Sequence, residues 1–290
     1  MKQSGKRVWY SHRGTVIVFL VLRILVALTA VLSILRGDYE SVFIAAVTFF
    51  LLFLPSILSR KLRIELPSTL EIFLLIFIFA ATILGEINKF YVRVPHWDTV
   101  LHTINGFCFA AIGFALVDML NRHERVSLRL SPVFLAIVAF CFSMTIGVLW
   151  EFYEYAGDRL FVLDMQKDTV IQEFNSVTLD ETQNNIAIQV KDIADVAVIH
   201  SDGSVQPLGV GGYLDVGIHD TMKDLLVNMV GAVVFSAIGY CFVKKKGKGK
   251  FAPRFIPRVL TDGEKEDPVP VTTTGTEDSG QSTAGPDNTD

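Results

Sequence analysis

Apolar positions dominate six runs of near-bilayer length along the chain, at 15–35, 41–58, 69–88, 99–120, 132–153 and 218–243. A hydrocarbon core of ~30 Å asks about 20 such residues of a crossing helix. The pattern therefore predicts an all-α polytopic membrane protein with about six transmembrane helices. The first run is too long for the apolar region of a signal peptide, carries Arg23 and lacks a following small-x-small cleavage site. It reads as a retained span.

Between spans five and six the pattern changes. Residues 159–214 are polar, yet "NIAIQVKDI" alternates as a half-buried strand does. "ADVAVIHSDGSVQPL" reads as strand, Asp202–Gly203 turn and strand. A small β-rich insert is expected there. Past Val259 the chain turns to Thr, Gly, Pro, Asp and Ser and cannot bury enough apolar surface to fold. The organisation is then a cytoplasmic N-terminus over 1–14, five spans over 15–158, the insert over 159–214, span six over 215–243, and a basic anchor with a disordered cytoplasmic tail over 244–290.

Charge sets the expected orientation. One set of ends holds Lys2, Lys6, Arg7, Arg13, Arg60, Lys61, Arg63, Arg122, Arg125, Arg129, Lys244, Lys245, Lys246, Lys248 and Lys250, fifteen in all. The opposite short loops hold three, Arg36, Lys89 and Arg93. By the positive-inside rule both termini are cytoplasmic and the insert lies outside. The net charge of −4 hides this, because the last thirty residues carry eight acids and one Lys. No nucleic-acid partner is implied, and Lys244–Lys250 reads as a topology anchor against anionic lipid. Cys108, Cys141 and Cys241 fall inside spans without motif spacing and read as packing residues.

Ionisable residues gather where spans four, five and six meet the insert side. In "VPHWDTVLHTINGF", Asp98, His102 and Asn105 follow i, i+4, i+7 and share a helix face, with His96 just ahead. "GVLWEFYEYAGD" places Glu151, Glu154, Tyr155 and Asp158 on a second stripe. "HDTMKDLLVNMVGA" lines up Asp220, Asp224 and Asn228, with Lys223 beside them, and Glu86 ends span three at the same level. Gly106, Gly147 and Gly231 lie one or two turns deeper on these faces and permit close helix approach. A charge turned to lipid has no compensation, so the three stripes are expected to meet in one cavity opening outward.

In this order, "HWDTVLH", "WEFYEY" and "DTMKDLLVNMVGA" resemble the YjdF-like family of bacterial polytopic membrane proteins and, more distantly, VanZ-like membrane proteins. The family pattern of Asp and His four apart, Glu-x-x-Glu and Asp-Thr-x-x-Asp falls on Asp98 and His102, Glu151 and Glu154, and Asp220, Thr221 and Asp224. The resemblance spans roughly residues 70–243 and implies a multi-pass protein of the bacterial cytoplasmic membrane. It supplies no activity, and the long 159–214 insert departs from the shorter members.

Two readings of the stripes stay open on the sequence. In the first, His102, Glu151 and Asp224 bind a divalent metal of the Zn, Mn or Fe type, with Asp98, Glu154, Asp220, His96 and Lys223 around them. An open coordination position would then serve a lipid or cell-envelope substrate at the outer leaflet. In the second, the protein is non-catalytic, its polar cluster locks helix packing, and the insert binds an envelope component or protein. A transporter fits less well, since span two has no polar residue at mid-depth and no pair of broken helices is evident. Trp97 and Trp150 suit an interfacial belt, and Arg23 is expected to snorkel or pair with Glu71 or Asp118. No P-loop, HExxH or nucleophile–base pair is present.

Overall fold

The computed structural model describes residues 11–62, 64–122, 130–161, 163–245, 247 and 251–259. Six helical stretches long and apolar enough to cross a membrane match the six predicted runs. Span one is α1 (Ser11–Arg36). It ends on Gly37 at φ +71°, with the Gly37 and Asp38 amides bonded back to Ile34 and Ser33, a left-handed helix stop that reverses the chain in two residues. Asp38 then caps span two by accepting from the Ser41 amide and hydroxyl at 3.1 and 2.6 Å.

Span two is not one helix. It divides into α2 (Tyr39–Leu51) and α3 (Leu54–Leu62). Pro55 has no N–H for the Leu51 carbonyl and its ring crowds that turn, so the ladder breaks there. This corrects the expectation of unbroken spans, and Pro55 was the visible signal. After β1 (Ile64–Glu65), span three begins as α4 (Ser68–Phe79) and widens into a π-helix over Ala80–Ile87. Asn88 closes it, donating to the Ile83 carbonyl from both its amide and its side chain. A left-handed Lys89 leads into the short α5 (Phe90–Arg93).

Spans four, five and six are α6 (Trp97–Arg122), α7 (Pro132–Phe161) and α8 (Ile218–Lys244). They form the tightest part of the molecule, with α6 and α8 in the most extensive contact. Ala110, Ala111, Phe114, Leu135, Ala139, Ala232 and Phe235 fill its core. Spans one to three form a second group around Leu22, Val26, Leu52, Leu75 and Ile83. Span three touches α6 only lightly, which leaves a seam between the two groups. The outward faces carry exposed Leu20, Leu28, Phe43, Ile76, Leu149 and Phe152, as lipid-facing surfaces should.

Two placements differ from expectation. Arg23 has no ion-pair partner among the described residues; its guanidinium lies 3.9–5.0 Å from the ring centroids of Phe19, Phe49 and Phe53. Aromatic faces offer a cation attraction in a place where water is scarce. Residues 251–259, assigned by composition to the basic anchor and tail, return to the bundle. Phe255 and Ile256 are buried in the core of spans four to six, and Phe255 meets the rings of Phe73 and Phe107 at 5.6 and 5.1 Å. The following β8 (Arg258–Val259) pairs antiparallel with β1. The remainder of the predicted tail lies outside the described residues.

The insert consists of three short antiparallel pairs. They join β2 (Val170–Ile171) with β7 (Tyr213–Leu214), β3 (Phe174–Ser176) with β4 (Ile188–Val190), and β5 (Ala197–Ile199) with β6 (Val205–Pro207). The last is the hairpin read around Asp202–Gly203, with Gly203 left-handed at φ +85°. Strands of two or three residues bury little, and carboxylates hold the loops instead. Asp180 accepts from the amides of Thr182, Asn184 and Ile186, and Asp195 from those of Gly209 and Val210. The Thr182 hydroxyl, with these amides, holds the Asp180 carboxyl below the usual aspartate range, and the Val196 amide, with those of Gly209 and Val210, does the same for Asp195.

Candidate functional site

At the insert end of the three-helix group the polar stripes converge. His102 stands in the second turn of α6, Glu151 ten residues before the end of α7, and Asp224 in the second turn of α8. They are exposed by 6%, 4% and 1%. His102 Nε2 lies 3.5 Å from Asp98 Oδ1 and 3.9 Å from Asp224 Oδ2, while His102 Nδ1 faces Glu151 Oε1 at 3.8 Å.

Glycine allows this meeting. A Cβ on Gly106 would strike the backbone carbonyl of Asn228, and one on Gly231 the carbonyl of Thr103. A Cβ on Gly147 would lie 2.7 Å from the Asn228 amide nitrogen. All three glycines therefore sit at helix crossings, where only a hydrogen fits.

Two polar layers must be distinguished. One turn below the carboxylates, Asn228 Oδ1 accepts from Asn105 Nδ2 at 3.1 Å, and Asn228 Nδ2 donates to the Ser143 carbonyl at 3.5 Å. Ser143 Oγ donates to the Gly106 carbonyl at 2.7 Å. This layer ties α6, α7 and α8 by hydrogen bonds. Ser143 was missed in the sequence because a lone serine in an apolar run carries no spacing signal.

The carboxylate layer above it is different. Among the described residues, neither oxygen of Glu151 nor Oδ1 of Asp224 makes a well-formed hydrogen bond, although the Thr221 and Gln166 side chains stand next to Glu151. Lys223 Nζ approaches Asp224 Oδ1 only to 3.7 Å, because it is engaged by Asp220 at 2.7 Å. Buried acceptors left this way cost about 1–3 kcal/mol each, and more when charged. One donor atom from each of Asp98, His102 and Asp224 lies within 4.8 Å of the other two. Ligands around a tetrahedral zinc stand roughly 3.3–3.6 Å apart, so closing on an ion asks for a movement of about 1 Å.

The expected residues sort into three outcomes. His102, Glu151 and Asp224 do meet, but Asp98 stands with Asp224 on the Nε2 side and Glu151 alone on the Nδ1 side. Glu154 is buried behind them and accepts from Trp150 Nε1 at 2.8 Å, and Asp220 holds Lys223. His96 does not join: it is exposed at a left-handed φ of 60°, and its carbonyl accepts the Val100 amide at the start of α6. Glu86 is exposed as well, and Tyr155 leaves its stripe to lie under Arg159 at 5.4 Å.

The insert is tied across the helix ends above the cluster. Asp158, at the end of α7, accepts from the Met165 and Gln166 amides at 2.6 and 2.9 Å. Asp220, at the start of α8, accepts from the Lys167 amide at 3.0 Å, and Gln166 Nε2 bonds Thr221 Oγ1 at 2.5 Å. Residues 165–167 are thereby strapped across the two helix ends. Below the strap, Asp215 accepts from the amides of Thr169, Gly217 and His219, which keep its carboxyl below the usual range despite burial.

Fold and cluster together define an integral membrane protein of six spans with a buried His/carboxylate site near one end of its last three helices. The chain belongs to the DUF2238 family of predicted membrane proteins, which matches residues 17–245. It is also similar to a Thermotoga maritima protein described as an uncharacterized protein, at 24% identity over 144 residues, covering 48% of this chain and 70% of the relative. No solved structure matches.

Proposed function

We propose that the cluster holds a divalent cation of the zinc, manganese or iron type for metal-dependent action on a lipid or cell-envelope substrate. Asp98, His102 through Nε2 and Asp224 serve as ligands, and Glu151 orients the imidazole from Nδ1. The observation that carries this reading is the meeting of one donor atom each from Asp98, His102 and Asp224 within 4.8 Å of one another, with His102 and Asp224 buried. A nitrogen-plus-carboxylate set suits these ions, and a carboxylate behind a ligating histidine is a recurrent support for them. The bound ion would act as a Lewis acid toward a carbonyl or phosphoryl oxygen or toward water.

The non-catalytic reading has an observation in its favour, the hydrogen-bonded Asn105–Asn228–Ser143 layer, which does lock the helices. That layer does not engage Glu151 or Asp224. Metal analysis of the purified protein decides between the two. Wild type is expected to retain close to one equivalent, and His102→Ala to lose it while still migrating as a folded monodisperse species. Metal-free wild type under metal-replete conditions would refute the cation site.

In this reading the insert end faces away from the cytoplasm of a bacterial cytoplasmic membrane, supported by the fifteen-to-three bias of Lys and Arg. The order of the Asp98–His102, Glu151–Glu154 and Asp220–Thr221–Asp224 motifs supports a YjdF-like assignment within the family. Reporter fusions at residues 190 and 250 are expected on opposite sides of the membrane; both on one side would refute the orientation.

A further inference from the structure

The seam between the two helix groups contains a cavity of about 160 Å³ that begins at the cluster. Its polar end is formed by Asp98, His102 and Asn105. Its walls are mostly apolar, from Phe77 and Ala81 on span three, Leu101 and Phe109 on α6, and Ile146 and Trp150 on α7, with Tyr91 of α5 lining it as well. Along α6 the lining runs from Asp98 to Phe109, eleven residues or roughly 16 Å at helical rise. The slot is thus polar near the membrane surface and apolar toward the bilayer interior, the same polarity as a lipid lying in its leaflet.

Residues 165–167 are strapped over the insert side of the cluster, and the Asn228 layer lies below it. A lateral approach lies between span three and α7, where Trp150 is 43% exposed and Ile76 and Leu149 continue the lipid-facing surface. Here span three is π-helical, so Ala81, a small side chain, meets the slot in a widened turn. Such π segments occur often at functional sites. Whole drug-sized ligands need cavities of about 300 Å³ or more, so this slot admits one chain and leaves the rest of a larger molecule in the bilayer.

We infer that the slot takes a single alkyl or acyl chain of a membrane lipid, entering sideways from the bilayer, and sets the head-group linkage beside Asp98 and His102. This assigns the substrate class of the site and rests on reading the cluster as a cation site. A chain in the slot buries methylenes against Phe77, Phe109 and Ile146, while the polar linkage at its head finds the one polar end.

The full chain in nanodiscs of phosphatidylethanolamine and phosphatidylglycerol, doped with phosphatidylglycerol bearing a diazirine on one acyl chain, tests this by photolabelling. Adducts are expected on Leu101 and Phe109, which line the slot, as well as on lipid-facing Leu149 and Phe152. Ala81→Trp fills the slot and should cut the Leu101 and Phe109 adducts by about tenfold, leaving those on Leu149 and Phe152, and the metal content, unchanged. Excess unlabelled phosphatidylglycerol should suppress the same two adducts on the wild type, which frees the test from the folding of the variant. Labelling confined to Leu149 and Phe152, or labelling of Phe109 indifferent to both treatments, would overturn the inference. Metal retained without slot adducts rejects the lipid chain alone; slot adducts on a metal-free protein keep the chain site and reject the cation.

Discussion

Asp224→Asn is expected to abolish metal retention and to leave the metal-stripped protein more heat-resistant than the wild type. The two effects have one cause. Asp224 is 1% exposed, its Oδ1 has no hydrogen-bond partner, and its nearest cation stands at 3.7 Å. A buried charged acceptor without a partner carries a penalty of about 1–3 kcal/mol or more, which an ion would offset and the apo protein does not. Asparagine keeps the volume and removes the charge, so the apo fold gains about 1–2 kcal/mol, a shift of several degrees in Tm. Loss of a ligand lowers metal affinity by at least on the order of 100-fold. Glu151→Gln should show the same apo gain with a milder loss of metal, about 10–100-fold, because it acts on the ring from behind. Thermal unfolding in detergent with and without chelator reads both effects. A lower apo Tm in Asp224→Asn would mean that the carboxylates hold the helices together, and the packing reading would stand.

Gly106→Ala is expected to be the most damaging single methyl in the protein. The added Cβ would meet the backbone carbonyl of Asn228, and a backbone atom in a packed helix cannot swing aside as a side-chain tip can. Helices α6 and α8 must then separate, at a cost of about 2–3 kcal/mol, and the 3.9 Å approach of His102 to Asp224 widens with them. Gly231→Ala, against the Thr103 carbonyl, should behave alike. Gly14→Ala is the matched control: nothing lies within 4 Å of its Cβ position in α1, so it should be neutral or stabilise by up to about 1 kcal/mol. Equal melting of the Gly106 and Gly14 variants would show that α6 and α8 do not cross as described.

Much of this was legible in the residues because it is one-dimensional. Span length is set by bilayer thickness, so six runs of apolar residues became six spans. The Asp202–Gly203 turn became a hairpin, since it needs only a residue that tolerates positive φ. Convergence of the three stripes was legible too: acids and a histidine on three neighbouring helices, each with a glycine one or two turns deeper, have few other places to go. The broken span two was also written in the chain, at Pro55, and was missed because apolar content masked it.

What only the tertiary structure decided depends on how each helix is rotated and raised against its neighbours. Tyr155 and Glu154 differ by one residue, or about 100° of rotation on a helix, and packing against α6 and α8 chose Glu154 for the inside. The same rotations put Asp98 rather than Glu151 on the Nε2 side of His102. The strap at 165–167, the π-helical opening at Ala81 and the return of Phe255 into the core all rest on contacts between residues far apart in the chain. Sequence spacing by itself fixes which residues share a helix face. The distance of a few ångströms between faces, on which ion binding and lipid access turn, comes from the packing of whole helices.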